Sequence, residues 1–142
     1  MATPAAKDVA EDLIRNAPDQ AWLRSLTDEL DRTVRTEPLE RFTTLWGLSG
    51  AEAARAFGVS RQAFSKWSQN GVPAERSPAV ADLAAATDVL DRRLKRELIP
   101  AVVRRGAPAL GGHSLYEMAC QGRHDEVRMA VRAMFDLRRV QP

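Results

Sequence analysis

The chain has 142 residues, 44% of them hydrophobic and 28% charged, with a formal net charge of +2. That length supports a domain with a sizeable core, and the balance of apolar and charged residues argues against an intrinsically disordered polymer. No apolar run approaches the roughly 18 residues of a membrane span, and a single cysteine, Cys120, excludes an internal disulfide framework.

The charge is unevenly placed. Residues 1–50 carry six basic and nine acidic side chains, and residues 51–142 carry fifteen and ten. A basic excess confined to the later part of the chain is the distribution that phosphate attraction favours. The N-terminal sequence MATPAAKDVAEDL lacks the basic start and apolar core of a secretory signal. With one thiol, expected as a small buried group, the chain suits a reducing compartment. The expected location is the cytoplasm, with no membrane partner.

Residues 1–7 read as an unstructured tail, and residues 7–16 as a short helix with Val9, Leu13 and Ile14 on one side. Ala17-Pro18 breaks the chain, and Asp19 is placed to cap the next helix. Between 20 and 35, Trp22, Leu23, Leu26, Leu30 and Val34 recur at spacings of three and four, a single apolar stripe on an amphipathic helix. Thr36-Glu37-Pro38 is expected to interrupt that helix, because an interior proline lacks the N–H and crowds the preceding turn. Residues 39–46 then supply further turns with Phe42, Leu45 and Trp46 apolar.

Residues 49–70, SGAEAARAFGVSRQAFSKWSQN, carry the strongest functional signal. Ser49-Gly50-Ala51-Glu52 is a capping box, in which the hydroxyl and the carboxylate each satisfy an orphan amide at a helix start. Two helices that cross closely need a small residue at the crossing, which Ala54 supplies. The turn between them needs a residue tolerant of positive φ, and Gly58 lies four positions later. Val59 plugs the turn, Ser60 caps the second helix, and Phe64 and Trp67 anchor it from inside. The face left outward holds Arg61, Gln62, Ser65, Lys66 and Gln69, side chains able to hydrogen-bond base edges and phosphates. Gln62 suits an adenine edge and Arg61 a guanine or a phosphate. Ser60 and Lys66 suit backbone positioning, and Asn70 and Arg76 a phosphate clamp where the chain leaves the groove.

Beyond 71–78, a Gly/Pro-rich loop, residues 79–98 form the longest periodic segment. Val80, Leu83, Thr87, Leu90 and Leu94 make a packing seam, with Asp88/Arg92 and Asp91/Lys95 spaced as i,i+4 ion pairs. The basic run Arg92, Arg93, Lys95 and Arg96 reads as a solvated face. Pro100 is expected to stop regular helix, and residues 104–112 to connect. Ser114-Leu115-Tyr116-Glu117 is a second capping box, opening a short helix that Gly122 ends. Residues 125–138 form the last helix with Val127, Ala130, Val131, Met134 and Phe135 inward. No segment reads as a strand. The expected fold is all-α: a helical bundle with a central helix-turn-helix and a C-terminal helical extension. The expected division is 1–38 (N-terminal helices, for dimerisation), 39–99 (DNA binding) and 100–142 (partner binding or dimerisation).

Two resemblances accompany this reading. Ala54, Gly58, Val59, Phe64 and Trp67, with GVPAERSPAV after them, resemble the helix-turn-helix of Xre/Cro-like bacterial and phage regulators over about residues 39–99. The resemblance implies a sequence-specific transcriptional regulator, a dimeric repressor on double-stranded DNA. The C-terminal third resembles Xre-type antitoxins paired with RES-domain toxins, through Pro108, Ala109, Leu110, Gly111, Gly112, Ser114, Leu115, Gly122, Glu126 and Val127. It implies an alternative, neutralisation of a toxin with autoregulation of the operon, in which the central motif also serves dimerisation. Ser114 here is followed directly by Leu115, without the proline of that family's pattern. For a homodimer, the stripe 23–34 and the seam 80–94 are the candidate faces.

Catalysis and metal binding have little support. His113, Cys120 and His124 lack paired-ligand zinc spacing, and no Gly-rich phosphate loop or nucleophile–base ordering appears. Neither an enzyme nor a cofactor is expected. Trp22, Trp46 and Trp67 read as core anchors rather than a stacking platform for single strands.

Overall fold

Every regular element is helical in the computed structural model, which describes residues 5–16 and 19–136. Expectations for residues 1–4, for the Ala17-Pro18 break, for the Ile14 side chain and for residues 137 and 138 lie outside the described residues. Among those described there are eight α-helices and no strand, so the fold is all-α. The contacts divide the chain into two units, Met1–Val34 and Arg35–Pro142.

The first unit holds α1 (Ala6–Asn16) and the opening turns of α2 (Gln20–Leu45). Ala6, expected in the tail, is already helical. Asp19 caps α2 as its position suggests, Oδ1 accepting the Trp22 N–H at 2.7 Å. The apolar stripe is helical and only partly covered: Trp22 is 39%, Leu30 59% and Val34 69% exposed, whereas Leu23 and Leu26 are half-buried.

The expected break at Thr36–Pro38 does not occur, since α2 is continuous through Pro38. An interior proline costs about 3 kcal/mol. Against that stand Leu39 and Phe42, each 1% exposed and each worth about 1.5–3 kcal/mol buried. Core burial on the next turn therefore outweighs the missing hydrogen bond.

In the second unit, α3 (Gly50–Ala56) and α4 (Arg61–Asn70) form the helix pair. They lead through a short 3-10 turn at Ala74–Arg76 into α5 (Ser77–Arg93). This corrects two boundaries. The loop is shorter than 71–78, because Pro78 sits in the first turn of α5, where its missing N–H costs nothing. The helix also ends at Arg93 rather than 98, Leu94 taking extended angles. Its charges choose other partners than the expected i,i+4 pairs. Asp88 pairs with Arg41, and Asp91 with Arg41 at 2.7 Å and Arg96 at 2.9 Å. Arg92 donates instead to the Asp88 carbonyl at 3.3 Å. Lys95 has left the helix, so its spacing to Asp91 no longer brings the two together.

Pro100 starts a helix instead of stopping one: α6 spans Ile99–Arg104 with the proline in its first turn. Ile99 and Val103 on α6 are fully buried, which is why so short a piece forms. Past a 3-10 turn at Pro108–Leu110 come α7 (Leu115–Cys120) and α8 (His124–Met134). Ser114 caps α7, accepting the Glu117 N–H at 3.0 Å, but the reciprocal half of the box is absent. The Glu117 carboxylate is 3.2 Å from His113 Nδ1 instead. On α8, Val127 and Val131 are buried and Ala130 and Phe135 half-buried, whereas Met134, expected inward, is exposed. Cys120 is exposed rather than buried.

The seam of α5 is spent inside this unit. Leu83 and Leu90 are fully buried, and α5 packs most extensively against α8. Thus Val80–Leu90 is core and offers no dimer face.

Candidate nucleic-acid interface

Ser49 Oγ accepts the Glu52 N–H at 3.2 Å while Glu52 Oε1 accepts the Ser49 N–H at 3.0 Å, so the first capping box is complete. Ala53, Ala54 and Ala56 are buried, and their small side chains let α3 and α4 approach closely. Gly58 takes φ +67° at the turn, and its N–H donates to the Arg55 carbonyl at 3.0 Å. Val59 donates to the Ala54 carbonyl at 3.1 Å and packs on the core. Ser60 Oγ accepts the Ala63 N–H at 3.1 Å.

Aromatic packing holds the second helix. Phe64 and Trp67 are each 6% exposed, and Phe57 lies at the centre of a ring cluster. Its centroid is 5.5 Å from Phe42, 6.2 Å from Phe64, 5.8 Å from Trp67 and 5.8 Å from His124. Such pairs add about 0.5–1.5 kcal/mol each beyond area burial, enough to fix the tilt of α4.

With that inner face anchored, helix geometry sets the outer one. At about 100° per residue, Arg61, Ser65, Gln69, Gln62 and Lys66 fall within an arc of about 140°, opposite Phe64 and Trp67. All five are exposed, as is Asn70. Among the described residues, none of these six side chains has a hydrogen-bond or ion-pair partner. Helix α4 contains two basic residues and no acidic one. Its length of about 15 Å suits a major groove about 12 Å wide. Arg61 Nε lies 3.9 Å from where a Gly50 Cβ would stand, so this side chain reaches toward the start of α3.

Two of the expected DNA contacts have structural duties. Ser60 is exposed, yet its hydroxyl caps α4. Arg76 donates from Nη1 to the Phe57 carbonyl at 3.4 Å, tying the start of α5 to the turn.

The buttress behind α3 has no counterpart among the sequence expectations. Arg104 of α6 donates to Glu52 Oε2 at 2.8 Å and to the Gly47 carbonyl at 3.0 Å. Tyr116 of α7 donates its hydroxyl to the Glu52 carbonyl at 2.9 Å, and the Arg104 guanidinium stands 5.8 Å from the Tyr116 ring centroid. His124, opening α8, lies with Nε2 2.7 Å from the Ala56 carbonyl. A carbonyl only accepts, so Nε2 carries the proton. The Arg104 hydrogen bond, then the Ser49 amide, draw the Glu52 carboxyl down to about 2. Burial, then the Cys120 thiol, push the Tyr116 phenol up to about 12. These partners stand 52 to 68 positions apart, and no local pattern announces them.

His113, Cys120 and His124 serve separate contacts. Among the described residues, no group of three or more His, Cys, Asp or Glu is placed to hold a metal ion, and no helix is long and apolar enough to cross a membrane. No protein-family model matches the chain, and no curated protein matches it.

Proposed function

We propose that this protein is a sequence-specific double-stranded DNA-binding regulator, a repressor acting as a homodimer, with α4 as the helix that enters the major groove. The observation that carries this reading is the arc on α4. Arg61, Gln62, Ser65, Lys66 and Gln69 stand exposed and unpartnered among the described residues, directly opposite the anchored Phe64 and Trp67. Long polar side chains left without intramolecular partners, on a rigidly held cationic helix, suit base-edge and phosphate recognition. Gln62 is assigned to a base, Arg61 to a base or a phosphate, Ser65 and Gln69 to bases or backbone, and Ser60, Lys66, Asn70 and Arg76 to backbone. The partly exposed stripe of the first unit is the assigned dimer face.

The test is selection of bound sequences from randomised duplexes by the purified chain, at stated salt because phosphate-driven affinity falls steeply with ionic strength. The expected result is one enriched motif arranged as an inverted repeat, with half-sites about one DNA turn apart, roughly 34–36 Å. Recovery of random sequence would sink the proposal.

A second reading, neutralisation of a RES-domain toxin, draws support from one feature. The segment 105–110 and α8 border an apolar groove of about 730 Å³, lined by Val102, Pro108, Leu110, Leu115, Met129 and Met134. Co-purification with a RES-domain protein encoded beside this chain is the discriminating observation.

A further inference from the structure

Helices α5 and α8 run in the same direction. Asp82, early in α5, meets Arg128, in the middle of α8, at 3.0 Å. Further along both helices, Val89, Arg92 and Arg93 face Arg132 and Phe135 across a cavity of about 380 Å³. The C-terminal ends of the two helices therefore converge on one site. Each end carries about half a negative charge, so together they account for about one of the three positive charges there.

The acidic residues of α5 do not neutralise the remainder. Asp88 and Asp91 are occupied by Arg41 and Arg96. Arg92 spends Nε on the Asp88 backbone carbonyl. Among the described residues, Arg93 and Arg132 have no hydrogen-bond or ion-pair partner. Among the described residues, three guanidiniums thus line the cavity together with a half-buried aromatic ring and a half-buried valine.

We propose that this cavity is a binding site for a small phosphate monoester carried on a flat apolar body, the chemical class of the aryl phosphates. Guanidinium forks match phosphate oxygens bidentately, and the Phe135 ring and Val89 give the apolar body a surface to cover. The volume falls in the range of small-molecule sites, about 300–1,000 Å³. A DNA backbone contact suits the site less well. Arg76, at the opposite end of α5, is the residue tied to the helix-turn-helix, and about 24 Å of helix separates that end from Arg93. The site is independent of the proposed DNA face, and either can fail without the other.

Calorimetric titration of the full chain with phenyl phosphate and with inorganic phosphate tests the proposal. Phenyl phosphate should bind about tenfold more tightly than inorganic phosphate, as roughly 1.4 kcal/mol from covering the ring predicts. Arg93→Gln and Arg132→Gln should each weaken phenyl phosphate about tenfold, the loss of one charge-assisted contact. Phe135→Leu should reduce the preference for phenyl phosphate while retaining inorganic phosphate. Arg61→Gln, the same charge change on α4, should leave both affinities unchanged, and far-UV circular dichroism should match the parent throughout. Three results overturn the site: no binding of either probe at millimolar concentration, equal weakening by Arg61→Gln, or weakening of DNA binding alone by Arg93→Gln and Arg132→Gln.

Discussion

Trp46 donates its indole N–H to Thr87 Oγ1 at 3.0 Å, and Thr87 donates in turn to the Leu83 carbonyl at 2.7 Å. Both residues are buried, Trp46 fully and Thr87 to 1% exposure. The one polar position in the α5 seam exists to satisfy a buried indole. Thr87→Val keeps shape and removes the acceptor, leaving the N–H desolvated and unpaired. Urea unfolding should show a loss of about 1–3 kcal/mol; an unchanged midpoint would show that the bond contributes nothing.

Glu52 ties stability to acid pH. Its carboxyl is drawn from the ordinary 4.5 to about 2, so the folded state binds fewer protons than the unfolded one across that interval. The resulting stabilisation is fully present above about pH 4.5 and is lost as pH falls through about 2. Glu52→Gln should be less stable than the parent at neutral pH, with the gap narrowing as pH drops. A gap that stays constant from pH 6 to pH 2 contradicts the assignment.

Gly58 and Gly106 are required for different reasons. Gly58 has φ +67° and nothing within 4 Å of an added Cβ, so its need is conformational. Gly58→Asn should cost little and Gly58→Val more, because only Asn tolerates the left-handed region. At Gly106 an added Cβ would stand 2.7 Å from the Gly112 carbonyl oxygen, so alanine already clashes with backbone. Thermal melts of Gly58→Asn, Gly58→Val and Gly106→Ala should rank the first above both others.

The recognition face makes two separable predictions. Arg61→Ala combined with Gln62→Ala should abolish preference for the selected site while helical content is retained. Footprinting of the same site by the double variant would refute the assignment of α4. Lys66→Ala should instead weaken binding across all sequences and lower the salt slope by about one.

The stripe on the first unit supplies the dimer prediction. Leu30→Glu with Val34→Glu places charges on two of its most exposed apolar positions. Sedimentation at micromolar concentration should shift from dimer to monomer with helicity unchanged. A parent chain that already sediments as a monomer removes the inverted-repeat expectation.

Local chemistry is legible in the sequence. The Ser49–Glu52 box, the positive φ at Gly58, the Ser60 cap and the inward Phe64 and Trp67 each depend on residues within a few positions, and each stands as its spacing implies. So does the all-α class, set by periodicities of three and four. Proline is where local reading fails. Pro38 and Pro100 look like breaks in isolation, yet one is carried by burial of Leu39 and Phe42 and the other opens a helix whose Ile99 and Val103 are core.

What only the tertiary structure decided is which charges and polar groups meet. Arg41 takes Asp88 and Asp91 from the partners four residues along, Arg104 and Tyr116 hold Glu52, and His124 holds Ala56. It likewise turned the α5 seam into core and left Trp22, Leu30 and Val34 of the α2 stripe exposed. Hydrogen-bond and hydrophobic-period rules are short-ranged, and so a sequence states them directly. Long-range pairing depends on where packed helices bring their ends, which local spacing does not encode.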